Sequence, residues 1–196
     1  TTVYNREVQD PEVTVTADGI ETLSDKDMTI TYLKEVTTGS SAGTYTEVDE
    51  CKDAGNYKIR VTGKGNYSGS FDLSYTIQQR NLNEDAEDYR FAIEPISDQT
   101  YTGDAIIPEE LKVFEYAYDA SAPDDKSNEN AVLGEDDYNV TGTNNIDVTS
   151  DTQKAELTIE GKGNYTGTLT TEFVILPKNI NDKTDSVYDV DLAEIL

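Results

Sequence analysis

Apolar and polar positions alternate along most of this chain. Tyr57, Ile59 and Val61 alternate with polar residues, and after a short break Phe71, Leu73, Tyr75 and Ile77 do so again. That pattern predicts two half-buried strands joined by a tight connection. The same phase returns 98 residues later, with Ala155, Leu157 and Ile159 before the break and Leu169, Thr171, Phe173 and Ile175 after it. Earlier in the chain, Val13, Val15 and Ala17 predict a strand that ends at an Asp18-Gly19 hairpin turn. Met28, Ile30 and Tyr32 predict the next strand, residues 44–48 a short one, and Arg90-Phe91-Ala92-Ile93 a lead-in to the second repeat. Leu111 and Val113 share one parity while Phe114, Tyr116 and Tyr118 share the other, so a bulge near Val113-Phe114 is expected.

Both breaks carry the same glycine-rich text. Gly63, Gly65, Asn66, Tyr67 and Gly69 in the first recur as Gly161, Gly163, Asn164, Tyr165 and Gly167 in the second. Gly or Asn can take the positive φ that such a turn needs, and each tyrosine is placed to fold back over the end of a core. A fixed long-range repeat predicts serial all-β modules. We expect module 1 at residues 1–79 and module 2 at 80–177, the latter with an acidic exposed insertion at 119–130. Lys178-Asn179-Ile180-Asn181 echoes Arg80-Asn81-Leu82-Asn83, so residues 178–196 are expected to lead into a further module.

Composition narrows the chemistry. Forty acidic residues against fifteen basic ones give a net charge of −25, which repels nucleic-acid phosphates and anionic membrane. The longest apolar runs span only a few residues, too short for membrane insertion. Thirteen tyrosines, four phenylalanines and no tryptophan suggest narrow cores with hydroxyls at the rim. There is no histidine, and the lone Cys51 lies beside Glu50 and Asp53, whose charges disfavour a thiolate. Zinc sites and Ser-His-Asp or Cys-His catalysis are thereby excluded. No carboxylate pair stands out as the acid and base of a glycosidase, and the chain is read as non-enzymatic.

Two binding possibilities remain. Asp124, Asp125, Glu129, Asp136 and Asp137 form an oxygen-rich stretch that suits calcium, although an EF-hand register from Asp125 puts Asn130 where glycine is required. Tyr116 and Tyr118, next to the acidic insertion, are the candidate contacts for a glycan or protein ligand, whereas Tyr67 and Tyr165 are tied to their turns. Cys51 is expected to be a semi-buried strand residue.

Tyr101-Thr102-Gly103, Pro108, Asp137-Tyr138, Asn144-Asn145, Gly161-Lys162-Gly163-Asn164-Tyr165-Thr166-Gly167 and Phe173-Val174-Ile175 together resemble the Ig-like repeats of large bacterial (Firmicutes-type) cell-surface or secreted proteins. Module 1 departs from that pattern, with Tyr4-Asn5-Arg6 and Asp27-Met28 at the matching places and no Asn-Asn turn. The resemblance implies two tandem Ig-like antiparallel β-sandwich modules; β-grasp-like modules are the alternative, because periodicity does not resolve stretches of the central loops. It also implies an extracellular setting and a spacer or stalk role in an adhesin-like protein. The expected partners are neighbouring repeat modules, and a glycan or host surface protein if the module binds.

Overall fold

The computed structural model describes residues 1–16, 22–83 and 89–179. The Asp18-Gly19 turn, part of the polar linker and the tail from Ile180 onward lie outside the described residues. Every regular element described is a strand. In chain order these are β1 (Thr2–Val3), β2 (Met28–Glu35), β3 (Tyr45–Val48), β4 (Gly55–Gly63), β5 (Ser70–Gln78), β6 (Arg80–Asn81), β7 (Tyr89–Ile93) and β8 (Gln99–Thr100). They continue with β9 (Val113–Ala117), β10 (Glu129–Val132), β11 (Tyr138–Thr143), β12 (Ala155–Gly161), β13 (Tyr165–Thr166), β14 (Thr168–Phe173) and β15 (Ile175–Leu176).

The protein is thus all-β, with mixed sheets. One sheet runs β1-β5-β4-β2-β3, two others run β10-β9-β7 and β11-β12-β14, and β13-β6 and β15-β8 are two-stranded. The purely antiparallel pairing expected from sequence is corrected here, because β1 with β5, β13 with β6 and β15 with β8 are parallel. Each parallel pair is only two residues long, too brief to leave a trace in periodicity.

Two compact units account for the chain. The first holds Thr1–Asp85, Gly134–Asn139 and Glu160–Thr168, and the second holds Ala86–Leu133, Val140–Ile159 and Leu169–Leu196. In unit 1, β4 faces β5 with Tyr57, Ile59 and Val61 opposite Tyr75, Leu73 and Phe71. Tyr57, Ile59, Val61 and Ile77 are buried, each large aliphatic contributing about 1.5–3 kcal/mol of transfer free energy. Phe71 and Leu73 are not buried; they are 47% and 42% exposed. Among the described residues β1 pairs with β5 only at Ile77 and Gln78, so Phe71 and Leu73 lie on a stretch of β5 that is a free edge.

Residues 10–16 form no strand, contrary to the alternation of Val13 and Val15. One side of that segment is half-buried, and Leu23 N–H donates to the Val15 carbonyl at 2.9 Å. Cys51 is also corrected. It is fully buried in the loop between β3 and β4, with its N–H donated to Asp10 Oδ1 at 2.6 Å. Burial first, and then Asp10 rather than its sequence neighbours, pushes the thiol up to about 12.

In unit 2, β7 pairs with β9 in unbroken register from Tyr89 opposite Ala117 to Ile93 opposite Val113. The bulge expected at Val113-Phe114 is absent; the register shift lies in β10, between Glu129 and Ala131. Val113, Phe114, Glu115 and Tyr116 are all buried. A strand covered on both faces has no reason to alternate. The insertion at 119–130 is mostly exposed, but its last two residues open β10 rather than remaining loop, Glu129 opposite Tyr116 of β9 and Asn130 at the register shift. Ala155, Leu157, Ile159, Phe173 and Ile175 are buried.

Candidate interaction site

The two glycine turns share one hydrogen-bonded shape. Gly63 N–H reaches Gly69 O and Gly161 N–H reaches Gly167 O, both at 3.0 Å, while Tyr67 N–H and Tyr165 N–H return to Lys64 O and Lys162 O. A second bond anchors each turn, from Lys64 N–H to Asp27 O and from Lys162 N–H to Asp137 O, both at 2.8 Å. Asp27 and Asp137 are held in turn by the N–H groups of Ser24 and Gly134. Gly65 and Gly163 sit at φ 68° and 65°, and Gly69 and Gly167 at 87° and 80°, a region that side chains other than glycine rarely adopt.

Within unit 1 the second turn is enclosed. Asn164 Oδ1 accepts from Ala54 N–H at 2.7 Å and Asn164 Nδ2 donates to Asp53 Oδ1 at 3.1 Å. Its backbone carbonyl accepts from Arg80 N–H at 2.9 Å, and that of Thr166 accepts from Leu82 N–H at 2.8 Å, which makes the β6-β13 pair. Gln79 Nε2 donates to the carbonyls of Gly163 at 2.9 Å and Tyr165 at 3.1 Å. Tyr165 is only 2% exposed. Its ring meets Tyr4 edge to face at 5.6 Å between centroids, and the Arg6 guanidinium lies 6.0 Å from its centroid. Asn81 and Asn83 crowd the open side of Gly167.

Arg6 takes a left-handed backbone, φ 71°, where the second repeat has Gly103 at φ 93°. A non-glycine residue there costs about 1–2 kcal/mol. The guanidinium so positioned lies beside the Tyr165 ring and within hydrogen-bonding reach of its hydroxyl. Burial raises the Tyr4 and Tyr165 hydroxyls above their ordinary range. Burial would also raise Asp53, but the Asn164 amide and the Lys34 ammonium, 3.3 Å away, together hold it below the usual carboxylate range. The polar groups of this site are occupied by packing. Arg6, Asp53, Ala54 and residues 79–83 could not be singled out from the sequence, although the echo of Arg80-Asn81 in Lys178-Asn179 was a signal that the linker is patterned.

The other candidate residues are spread apart. Tyr116 is buried in β9, in tilted contact with Phe114 at 6.1 Å. Tyr118 is half-buried, with the Arg90 guanidinium 3.4 Å from its ring centroid. Asp125 accepts from Ser127 N–H at 2.9 Å, Glu129 pairs with Lys112 Nζ at 2.7 Å, and Asp137 caps Gly134. Asp124 and Asp136 are exposed. Among the described residues no three or more Asp, Glu, His or Cys side chains are grouped so that they could hold a metal ion. An open hollow of about 620 Å³ in unit 2 is lined by Gly142, Asn144 and neighbours up to Gln153, with no aromatic wall. Comparison with protein-family models, curated proteins and solved structures finds no match to this chain.

Proposed function

We propose that this chain is a pair of serial Ig-like β-sandwich modules acting as a structural spacer or stalk in a bacterial cell-surface or secreted adhesin-like protein. One observation carries the reading. The motif that distinguishes the sequence, the Gly-Lys-Gly-Asn-Tyr-Thr-Gly turn, has its amide, carbonyls and ring engaged in packing within unit 1. The proposal assigns no catalytic role, which agrees with a chain that lacks histidine and keeps its one cysteine buried. The net charge of −25 suits a module that must stay soluble.

The test is a ruler experiment. One, two and three copies of the chain are placed between a cell-surface anchor and a fluorescent reporter, and the reporter's height is measured. Equal increments per copy are expected, and a height independent of copy number would overturn the spacer reading.

A carbohydrate- or protein-binding module is the second reading. Exposed Phe71 and Leu73 on the free edge of β5 favour a protein ligand, since an apolar edge can accept an added strand. It requires saturable retention on a glycan or host-protein array, in the presence or absence of calcium, and because Tyr116 is buried in β9, Tyr118→Ala is the variant that would weaken a glycan contact.

A further inference from the structure

We infer that the first glycine turn, residues 63–69, is a docking surface for the segment Lys178-Asn179-Ile180-Asn181 of a second copy of this chain. The inference rests on the serial-module reading and deepens it by naming the contact. Both turns have the same internal hydrogen bonds and the same positive-φ glycines. Only their surroundings differ. Tyr165 is buried whereas Tyr67 is half-exposed, and Asn66 is exposed where Asn164 is half-buried. Among the described residues the Asn66 side chain has no hydrogen bond, and the carbonyls of Asn66 and Ser68 lack the strand partner that those of Asn164 and Thr166 have in β6. A Cβ on Gly69 would meet open space, while one on Gly167 would strike Asn81 and Asn83. The first turn therefore presents a vacant copy of a recognition shape that is filled 98 residues later.

The chemistry of the occupant follows from the filled site. It needs two strand N–H groups spaced as those of Arg80 and Leu82, asparagines that fit against the glycine, an aromatic edge in place of Tyr4 and a carboxylate in place of Asp53. The second repeat carries the same set, with Lys178 and Asn179 followed by Ile180 and Asn181, Tyr101 at the place of Tyr4, and Asp151 at the place of Asp53. Arg6 has no counterpart there, because Gly103 stands in its place. Strand addition to an unpaired edge, with side-chain pockets for register, is an ordinary mode of recognition.

Two copies joined end to end without added residues place Lys178 of the first copy as many residues ahead of Tyr67 of the second as Arg80 lies ahead of Tyr165. The second copy is isotope-labelled by protein ligation, and the amide and ring signals of Gly65, Tyr67 and Gly69 are compared with those of the lone chain. They are expected to move toward the positions shown by Gly163, Tyr165 and Gly167. Tyr67→Ala and Asn66→Ala are expected to leave the melting temperature of the lone chain within ~2 °C, and to lower that of the joined protein by ~5 °C when placed in its second copy. Unchanged signals at 65–69, or equal melting shifts in both contexts, would overturn the docking surface. The Tyr165 signals of the labelled copy report its folding independently of any variant. Failure here leaves the ruler experiment standing, and a failed ruler experiment with the signals at 65–69 still displaced removes the spacer role while keeping the contact.

Discussion

Tyr165 shows how much one side chain can draw from distant parts of the chain. Its ring is closed in by Tyr4 and Arg6, so Tyr165→Ala should destabilise the protein by about 3 kcal/mol or more, read as a lowered urea midpoint. A loss below ~1 kcal/mol would mean that the turn is not held by its ring. The amide of Asn164 could be read from sequence only as a turn former, because its partners Asp53 and Ala54 lie more than a hundred residues away. Asp53, held below its ordinary value, contributes stability that is present above the usual carboxylate range and is lost as the pH falls through its folded-state value. Asp53→Asn should flatten the acid limb of a stability profile; an unaltered limb would remove Asp53 from the account. At the alkaline end the sign is reversed. Cys51 and Tyr57, both pushed up to about 12, contribute stability that is complete below their unfolded values and fades as the pH climbs toward 12. Native Cys51 should accordingly resist a disulfide reagent at pH 8 until denaturant is added, and stoichiometric labelling of the folded chain would contradict its burial.

Strands and turns carried the clearest sequence signal, and also its clearest failures. Tyr57, Ile59 and Val61 alternate in sequence and are buried together in β4. Phe71 and Leu73 alternate equally well, yet they lie on a free edge, because alternation records which face a residue shares and not whether anything covers that face. In β9 both faces are covered, so two apolar parities that suggested a bulge turned out to belong to one regular strand. The candidate ligand residue Tyr116 sits in that strand, and Tyr118 just beyond it is the more accessible of the two. The glycine turns allow a direct comparison at this scale. Gly69→Ala meets only the backbone penalty of a positive φ, about 1–2 kcal/mol, whereas Gly167→Ala adds a collision with Asn81 and Asn83. Chemical denaturation should rank Gly167→Ala well below Gly69→Ala, and equal losses would show that the space around Gly167 is not filled as described.

For the molecule as a whole, unit 1 draws on three separated stretches of chain, including residues 134–139 and 160–168. A fragment ending at Asn83 would lack β13 and the ring that covers Tyr4. Such a fragment should melt well below the full chain and exchange its Arg80 and Leu82 amides rapidly, since their acceptors are Asn164 O and Thr166 O; retention of full-chain protection would show that the second turn is dispensable. The charge of −25 acts at this scale too, through self-repulsion that salt screens. Raising sodium chloride from ~10 mM to ~0.5 M should therefore raise the melting temperature. What the sequence determined by itself was the all-β character, the phase of the main strand pairs and the recurrence of a glycine turn, because alternation and glycine chemistry act between close neighbours in the chain. Which of the two turns is enclosed, which apolar face is covered and where short parallel pairs form were decided only by the tertiary structure, because each depends on what a residue meets from far along the chain.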